Sequence, residues 1–129
     1  MRIMIDSNVI ISAIYKRYSK SARAFHYVCE NHVLVLCDRI IAECYDIVIR
    51  KFPQHTAILG KFLEELKSLP GYENVTTAQA DFTMTAPKDE PILNAAILAN
   101  VDVLISSDEK FLALNFKHPK VLTPSQYME

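Results

Sequence analysis

The amino-acid sequence predicts an α/β protein, in which a short parallel sheet carries helices on both faces. Short, continuous apolar runs alternate with longer stretches in which apolar residues recur every three or four positions. Continuous apolar runs are typical of strands buried on both faces, and their alternation with helices implies right-handed crossovers. The length of 129 residues and the 50% share of hydrophobic residues suit one core. We therefore expect a single domain over residues 1–129.

The first part of the chain is predicted to form one strand and two helices. Arg2–Ile5 is a mainly apolar run that ends abruptly at Asp6, as a buried first strand would. Helices are expected at Val9–Tyr15 and Ser21–Glu30, because small and apolar residues recur there at helical spacing. Ser21 stands where a capping residue of the second helix belongs.

The middle of the chain continues the alternation of strand and helix. Val33–Leu36 is a second buried strand, and Asp38 is predicted to cap the helix that follows it. The apolar positions of that helix recur at intervals of three and four, and they are Ile40, Ile41, Cys44, Ile47 and Val48. A further helix fits Thr56–Leu69 and stops at the Pro-Gly pair that ends with Gly71.

The remaining part of the chain is predicted to complete the sheet. The expected elements are a weak strand at Glu73–Thr77, a loop at Ala80–Pro87, a helix from Asp89 through Leu98, a strand at Val101–Ile105, a helical turn at Phe111–Leu114 and a short strand at Val121–Leu122. Pro91 is tolerated in its helix because it falls in the first turn.

The scarcity of glycine excludes several classes of enzyme. The only glycines are Gly60 and Gly71, eleven positions apart. A Walker A loop, a dinucleotide-binding fingerprint and the nucleophile elbow of α/β hydrolases each need closely spaced glycines. All three are therefore ruled out.

The net charge and the cysteines indicate which ligands and which cellular compartment suit the protein. The net charge of −1 argues against a protein that binds nucleic acid through bulk positive charge, although a local basic face remains compatible with it. Cys29, Cys37 and Cys44 suit neither a disulfide framework nor a metal knuckle, so we expect reduced thiols. Because no apolar stretch is long enough for a membrane span or a signal core, a cytoplasmic protein is expected.

Four acidic residues are predicted to gather at one edge of the sheet. Asp6 and Asp108 each follow a strand, and the carboxyl ends of parallel strands meet at one edge. Asp89 begins a helix that leads into a strand, and Glu43 falls at the border of the buried face of its helix. Carboxylates without thiolates or a histidine cluster favour Mg²⁺ or Mn²⁺. Such a site favours phosphoester hydrolysis, in which the metal activates water.

Each of these acids also has a purely structural interpretation. Asp6, Asp89 and Asp108 are placed to cap helices, which is the commoner role of a single aspartate at such a position. Glu43, taken alone, reads as a solvated helix residue. The functional interpretation therefore depends on the four acids meeting at one edge.

The residues around these acids resemble the PIN-domain nucleases. The matching segments are Asp6-Ser7-Asn8-Val9 after the first strand, Glu43 within Ile40–Cys44, Pro87-Lys88-Asp89 ahead of Ile92–Ala96, Ser106-Ser107-Asp108 after a strand, and the closing Val121–Met128. The closing segment is similar to that of the bacterial toxin components of toxin/antitoxin pairs. No single motif is specific, but the order and spacing extend over essentially the whole chain.

The resemblance implies a fold, an activity and a set of roles. The implied fold is a three-layer α/β/α sandwich around a short parallel sheet, and the implied activity is metal-dependent endonucleolytic cleavage of RNA. By position, the acidic metal-binding and catalytic residues are Asp6, Glu43, Asp89 and Asp108, supported by Asn8 and Ser106. The implied partners are single-stranded RNA, an antitoxin protein and a second copy of the chain.

The densest basic group is a candidate for RNA binding. It follows the first helix, is interleaved with Tyr15 and Tyr18, and consists of Lys16, Arg17, Lys20 and Arg23. Such residues suit contacts to phosphates, with a tyrosine for base stacking. An ordinary solvated helix end explains the same pattern equally well.

Two other functions remain open on the sequence alone. A haloacid-dehalogenase-like phosphatase also begins with an aspartate after its first strand, but the second aspartate of that family is Asn8 here. A PIN-fold RNA-binding module without catalysis is the other alternative. Many PIN domains carry a further acid where this chain has Ala86, and a glycine where it has Ser107.

Overall fold

The backbone of the protein, in a computed structural model that describes residues 1–76, 90–113 and 117–129, forms a five-stranded parallel sheet. The strands are β1 (Arg2–Ile5), β2 (Val33–Cys37), β3 (Glu73–Val75), β4 (Val103–Ile105) and β5 (Lys120–Leu122). Their order across the sheet is β3-β2-β1-β4-β5, and every neighbouring pair is parallel. The predicted parallel sheet is therefore confirmed.

Helices cover both faces of this sheet. They are α1 (Ser7–Tyr15), α2 (Lys20–Asn31), α3 (Asp38–Lys51), α4 (Thr56–Leu66), α5 (Glu90–Leu98), α6 (Glu109–Leu112) and α7 (Pro124–Tyr127), with a 3-10 turn at Pro53–His55 before α4. Successive residues of a strand point to opposite faces, and Ile3, Met4 and Ile5 of β1 are all fully buried. The expected three-layer α/β/α sandwich is confirmed. In the parts of the chain that the structure describes, none of the helices combines the length and apolar character needed to cross a membrane.

The strand order creates a crevice beside β1. The chain runs outward from β1 through β2 to β3, and then returns to place β4 on the other side of β1. Connections that leave two adjacent strands in opposite directions open a crevice at the carboxyl ends of those strands. The backbone N–H of Asp6 still donates to the carbonyl of Ile105 at 2.9 Å, so β1 and β4 remain paired up to this crevice.

A polar cluster around Arg2 ties together the opposite edge of the sheet. The guanidinium reaches across β2 to the carboxylate of Glu73 on β3, at 2.6 Å, and it also donates to the carbonyl of Ala99 at 3.0 Å. The backbone N–H of Arg2 donates to the carboxylate of Asp102 at 2.8 Å. This end of the molecule is therefore structural, and it lies away from the crevice.

Two predicted helix starts are wrong in detail. The cap of α2 is Ser19, whose hydroxyl accepts from the backbone N–H of Ala22, rather than Ser21, which lies inside the helix. Asp38 is the first residue of α3, and Cys37 is the residue at the cap position. Ser and Asp are favoured both at the cap and in the first turn, so the sequence alone leaves this shift of one or two residues open.

Several ends of predicted elements also shift. Helix α4 stops at Leu66, and the chain turns through Gly71, whose φ of 80° is left-handed. A Cβ added to Gly71 would lie 3.1 Å from Cγ2 of Val33. Strand β4 begins at Val103, after Asn100 has adopted a positive φ of 55°. The predicted loop Ala80–Pro87 lies outside the described residues.

Candidate functional site

Asp6 stands at the carboxyl end of β1, where the chain leaves the sheet for α1. Its side chain belongs to a residue only 4% exposed, and both carboxylate oxygens accept hydrogen bonds. Oδ1 accepts from the backbone N–H of Ser7 at 2.8 Å, which caps α1, and Oδ2 accepts from the hydroxyl of Ser106 at 2.9 Å. Donors from two different elements therefore fix the orientation of this carboxylate.

Ser106 connects Asp6 to Asp108. It follows β4, is fully buried, and its backbone N–H donates to the carbonyl of Leu122 on β5 at 2.9 Å. While its hydroxyl donates to Asp6, the same oxygen accepts from the backbone N–H of Asp108 at 3.0 Å. Asp108 is partly buried and caps α6, because its Oδ1 accepts from the N–H of Lys110 at 2.9 Å. One serine thus holds the carboxylate of Asp6 and the turn that carries Asp108.

Glu43 joins the same site through Ser7. The buried hydroxyl of Ser7 donates to Oε1 of Glu43 at 3.0 Å, so Ser7 contacts Asp6 through its backbone and Glu43 through its side chain. The side chain of Glu43 is 29% exposed, in agreement with a position at the border of the buried face. Arg39, one turn earlier in α3, places Nε 3.8 Å from Oε2 of Glu43.

Ser7 is a site residue that the sequence reasoning missed. The sequence predicts that Asn8 supports the acids, but the side chain of Asn8 is exposed and makes no hydrogen bond to a described residue. Asn8 lines the cleft, whereas Ser7 makes the contacts to both acids. The signal was available, because a serine directly after a strand-ending aspartate begins the next helix beside the carboxylate.

The acids line an open cleft of about 500 Å³ at the crevice between β1 and β4. Its lining residues are Asp6, Ser7, Asn8, Arg39, Ala42, Glu43, Asp46, Ile47, Arg50, Lys51 and Asp108. The structure therefore brings three of the four predicted acids to one cleft, and the fourth, Asp89, lies outside the described residues. Within residues 1–76, 90–113 and 117–129, no three acidic, histidine or cysteine side chains are close enough together to hold a metal ion.

Among the described residues, the cations that line this cleft come from α3. Arg39, Arg50 and Lys51 line it, together with the acid Asp46, whose carboxylate lies 3.3 Å from Nε of Arg50. Positive charge beside carboxylates is suited to a phosphodiester, which needs both a site for its negative charge and a site for chemistry.

The basic residues proposed from the sequence lie elsewhere. Helix α1 starts at the cleft and has nine residues, so it carries the chain about 14 Å along its axis before they begin. The cleft is lined by none of the four, which are Lys16, Arg17, Lys20 and Arg23. Lys20 instead donates to the hydroxyl of Ser125 at 3.0 Å.

Cys44 lies behind the acids in the buried face of α3. Burial, together with the negative charges of Asp6 and Glu43, raises the pKa of its thiol to about 12. The thiol is therefore neutral at pH 7. Among the described residues, this cleft offers a ligand carboxylate oxygens, the amide of Asn8 and the cations of α3.

The fold is that of a PIN domain. The model of the PIN-domain family matches residues 2–110, and the chain belongs to that family. A chain in the crystal structure of VapBC2 from Rickettsia felis, bound to a DNA fragment from its promoter, has the same fold. It superposes with a TM-score of 0.65, covers 95% of this chain and 97% of that chain, and is 16% identical in sequence. No curated protein matches the chain.

Proposed function

We propose that the protein is a Mg²⁺- or Mn²⁺-dependent endoribonuclease that cuts single-stranded RNA. Its acidic residues would be Asp6, Glu43, Asp89 and Asp108. The observation that carries the proposal is the pair of acids held by Ser7 at the crevice between β1 and β4, in a cleft that Asp108 also lines. Membership of the PIN-domain family supports it, because PIN domains are generally nucleases.

The donor set of the cleft fits a hard divalent cation. The acids offer only carboxylate oxygens, which Mg²⁺ and Mn²⁺ prefer to nitrogen or sulfur ligands. Asp6 is 4% exposed, and a buried carboxylate is costly unless a cation or hydrogen bonds compensate it. When bound, the ion would supply an activated water and would stabilise charge on the leaving oxygen.

The remaining steps depend on the chain's own groups. The N–H of Ser7 and the hydroxyl of Ser106 hold the carboxylate of Asp6 in one orientation, and the hydroxyl of Ser7 orients Glu43. Preorganised ligands avoid a reorganisation cost during the reaction. Arg39 lies beside Glu43 in the cleft, where its guanidinium would offset the charge of the scissile phosphate.

Cleavage of a labelled RNA tests the proposal. Initial rates on a fluorescent single-stranded RNA should depend on Mg²⁺ or Mn²⁺ and should fall to background in excess EDTA. Asp6→Asn should lower the rate by at least about 100-fold, because it removes a charged ligand while asparagine still caps α1. Glu64→Gln is the matched control, since it removes a carboxylate whose side chain is 71% exposed on α4. Full activity in EDTA, or in the Asp6→Asn protein, would reject the mechanism.

The same assay separates the two other functions. A PIN-fold module without catalysis would bind the RNA and leave it intact with either metal. A dehalogenase-like phosphatase would release phosphate from small phosphomonoesters and carry a covalent phosphate on Asp6, which mass spectrometry of the trapped protein would detect.

We also propose that the protein is the toxin of a toxin/antitoxin pair, acts in the cytoplasm as one domain, and forms a homodimer. The fold shared with a chain of VapBC2 supports the first part. Induced expression in a bacterial host should arrest growth, and Asp6→Asn should not. Co-expression of the product of a neighbouring reading frame should restore growth and inhibit RNA cleavage in vitro. Light scattering of the purified protein would measure its oligomeric state.

A further inference from the structure

Helix α3 carries cations well beyond the acidic residues. Arg50 and Lys51 line the same cleft as Glu43, but they stand seven and eight residues later in α3. At about 1.5 Å per residue, they lie roughly 10–12 Å further along the helix axis. The cleft therefore extends from the acids along α3, and the proposed chemistry at the acids uses neither of these cations.

Both cations are available to a phosphate. The side chains of Arg50 and Asp46 are 60% and 69% exposed, and their Nε to Oδ2 separation is 3.3 Å. Such exposed ion pairs contribute little, so the guanidinium can exchange its carboxylate partner for a phosphate at small cost. Lys51 is exposed and makes no ion pair with any residue of the described chain.

Two rings that follow Lys51 pack with Tyr15 from the end of α1. This ring cluster consists of Tyr15, Phe52 and His55. The ring centroids of Tyr15 and Phe52 are 4.4 Å apart with an interplanar angle of 22°, and those of Phe52 and His55 are 5.9 Å apart at 9°. The hydroxyl of Tyr15 lies 3.0 Å from Nδ1 of His55. Tyr15 remains 36% exposed. These nearly parallel rings therefore lie where α1 and α3 end, and Phe52 directly follows Lys51 in the chain.

We propose that single-stranded RNA runs from the acidic residues along α3, where Arg50 and Lys51 bind phosphates of the flanking nucleotides and a base stacks against the ring cluster. The proposal rests on the proposed function and adds to it the path of the strand. Phosphate contacts position a nucleic acid without reading its sequence, and aromatic rings stack with any unpaired base. The subsite therefore selects for single strands, whose bases are open to stacking.

Binding of RNA without cleavage tests this path. Fluorescence anisotropy of a labelled single-stranded RNA is measured with Asp6→Asn protein in EDTA, over a series of salt concentrations. Arg50→Ala/Lys51→Ala in this background should lower the slope of log affinity against log salt by about 1.4, and should weaken binding roughly tenfold at physiological salt. Tyr15→Leu should weaken binding by about fivefold or more and leave the salt slope unchanged. A matched duplex should lose nothing from Tyr15→Leu.

Two further pairs of variants make the result decisive. Lys61→Ala/Lys117→Ala removes two exposed charges that do not line the cleft, and it should bind RNA like the parent protein. If Lys16→Ala/Arg17→Ala lowers the salt slope and Arg50→Ala/Lys51→Ala does not, the RNA strand contacts the basic residues after α1 rather than those of α3. The proposal is then overturned. Cleavage of RNA by the Asp6→Asn protein would contradict the proposed function instead. If the parent protein cleaves with metal but Arg50→Ala/Lys51→Ala leaves the salt slope of binding unchanged, only the proposed path of the strand is wrong.

Discussion

Replacing Ser106 with alanine removes one oxygen that serves two buried hydrogen bonds. Its hydroxyl donates to the carboxylate of Asp6 at 2.9 Å and accepts from the N–H of Asp108 at 3.0 Å, in a residue with no exposed surface. A hydrogen bond to a charged group contributes about 1.5–3 kcal/mol, and one between neutral groups about 1 kcal/mol. We expect Ser106→Ala to lower the free energy of unfolding by about 3 kcal/mol, a large part of the roughly 5–15 kcal/mol typical of a domain.

Urea denaturation in EDTA measures this loss without a contribution from metal. Ser107→Ala is the matched control, because Ser107 is the exposed neighbour, and it should change the free energy by no more than about 0.5 kcal/mol. Repeating Ser106→Ala in an Asp6→Asn background should cost at least about 1 kcal/mol less, because an asparagine that caps α1 with its amide oxygen turns its NH2 group toward Ser106, and the charge-assisted bond is then already lost.

Two results would refute this reasoning. A loss below about 1 kcal/mol would mean that water or a neighbouring donor replaces the hydroxyl of Ser106. Equal losses with Asp6 and with Asn at that position would mean that the serine does not interact with the charge of the carboxylate, and the site would then lack the coupling that its geometry describes.

Two predictions concern regions away from the cleft. The guanidinium of Arg2 holds the pKa of Glu73 below its ordinary value, so this pair stabilises the fold above the unfolded pKa of about 4.3, and the contribution is lost as pH falls through the lower folded pKa. Glu73→Gln should therefore lower the free energy of unfolding by less than about 1 kcal/mol at pH 7, because the pair is partly exposed. Urea denaturation should show that this difference from the parent vanishes in acid. A difference that stays constant with pH would contradict the prediction. Gly71→Ala should lower stability by about 1–2 kcal/mol in thermal unfolding, because the residue has a φ of 80° and the new Cβ would meet Val33 at 3.1 Å; an unchanged melting temperature would show that the turn relaxes.

The fold was largely predictable because burial leaves a direct trace in the sequence. Apart from Arg2 at the start of β1, strands β1, β2 and β4 are continuous apolar runs, and most of their residues are buried. Short elements were harder. Helix α7 has only four residues, too few for apolar periodicity, and its signal is the capping box in which Thr123 and Gln126 bond reciprocally. The order of the strands depends on long-range packing, which no local pattern encodes.

The acidic side of the site followed from topology, and the basic side did not. Asp6 and Asp108 follow the carboxyl ends of neighbouring parallel strands, so both reach the same cleft whatever path the chain takes between them. The position of Asp89 stays a prediction. Arg39 and Arg50 were overlooked because their acidic neighbours along α3 neutralise them in the linear sequence, although helical spacing aligns them on one wall. The positive charges of the cleft are therefore visible on the surface of α3 but not as a basic cluster in the sequence.

Asp6 and Asp108 each cap the N-terminus of a helix, because Oδ1 of each accepts a hydrogen bond from a backbone N–H. Asparagine and serine cap a helix about as well as aspartate, so capping alone does not require a negative charge at either position. Under the proposed function, a relative without catalysis could carry a neutral capping residue at these positions and keep the fold. Under the proposed function, aspartate at both positions, rather than any capping residue, distinguishes a catalytic PIN domain from an inactive one.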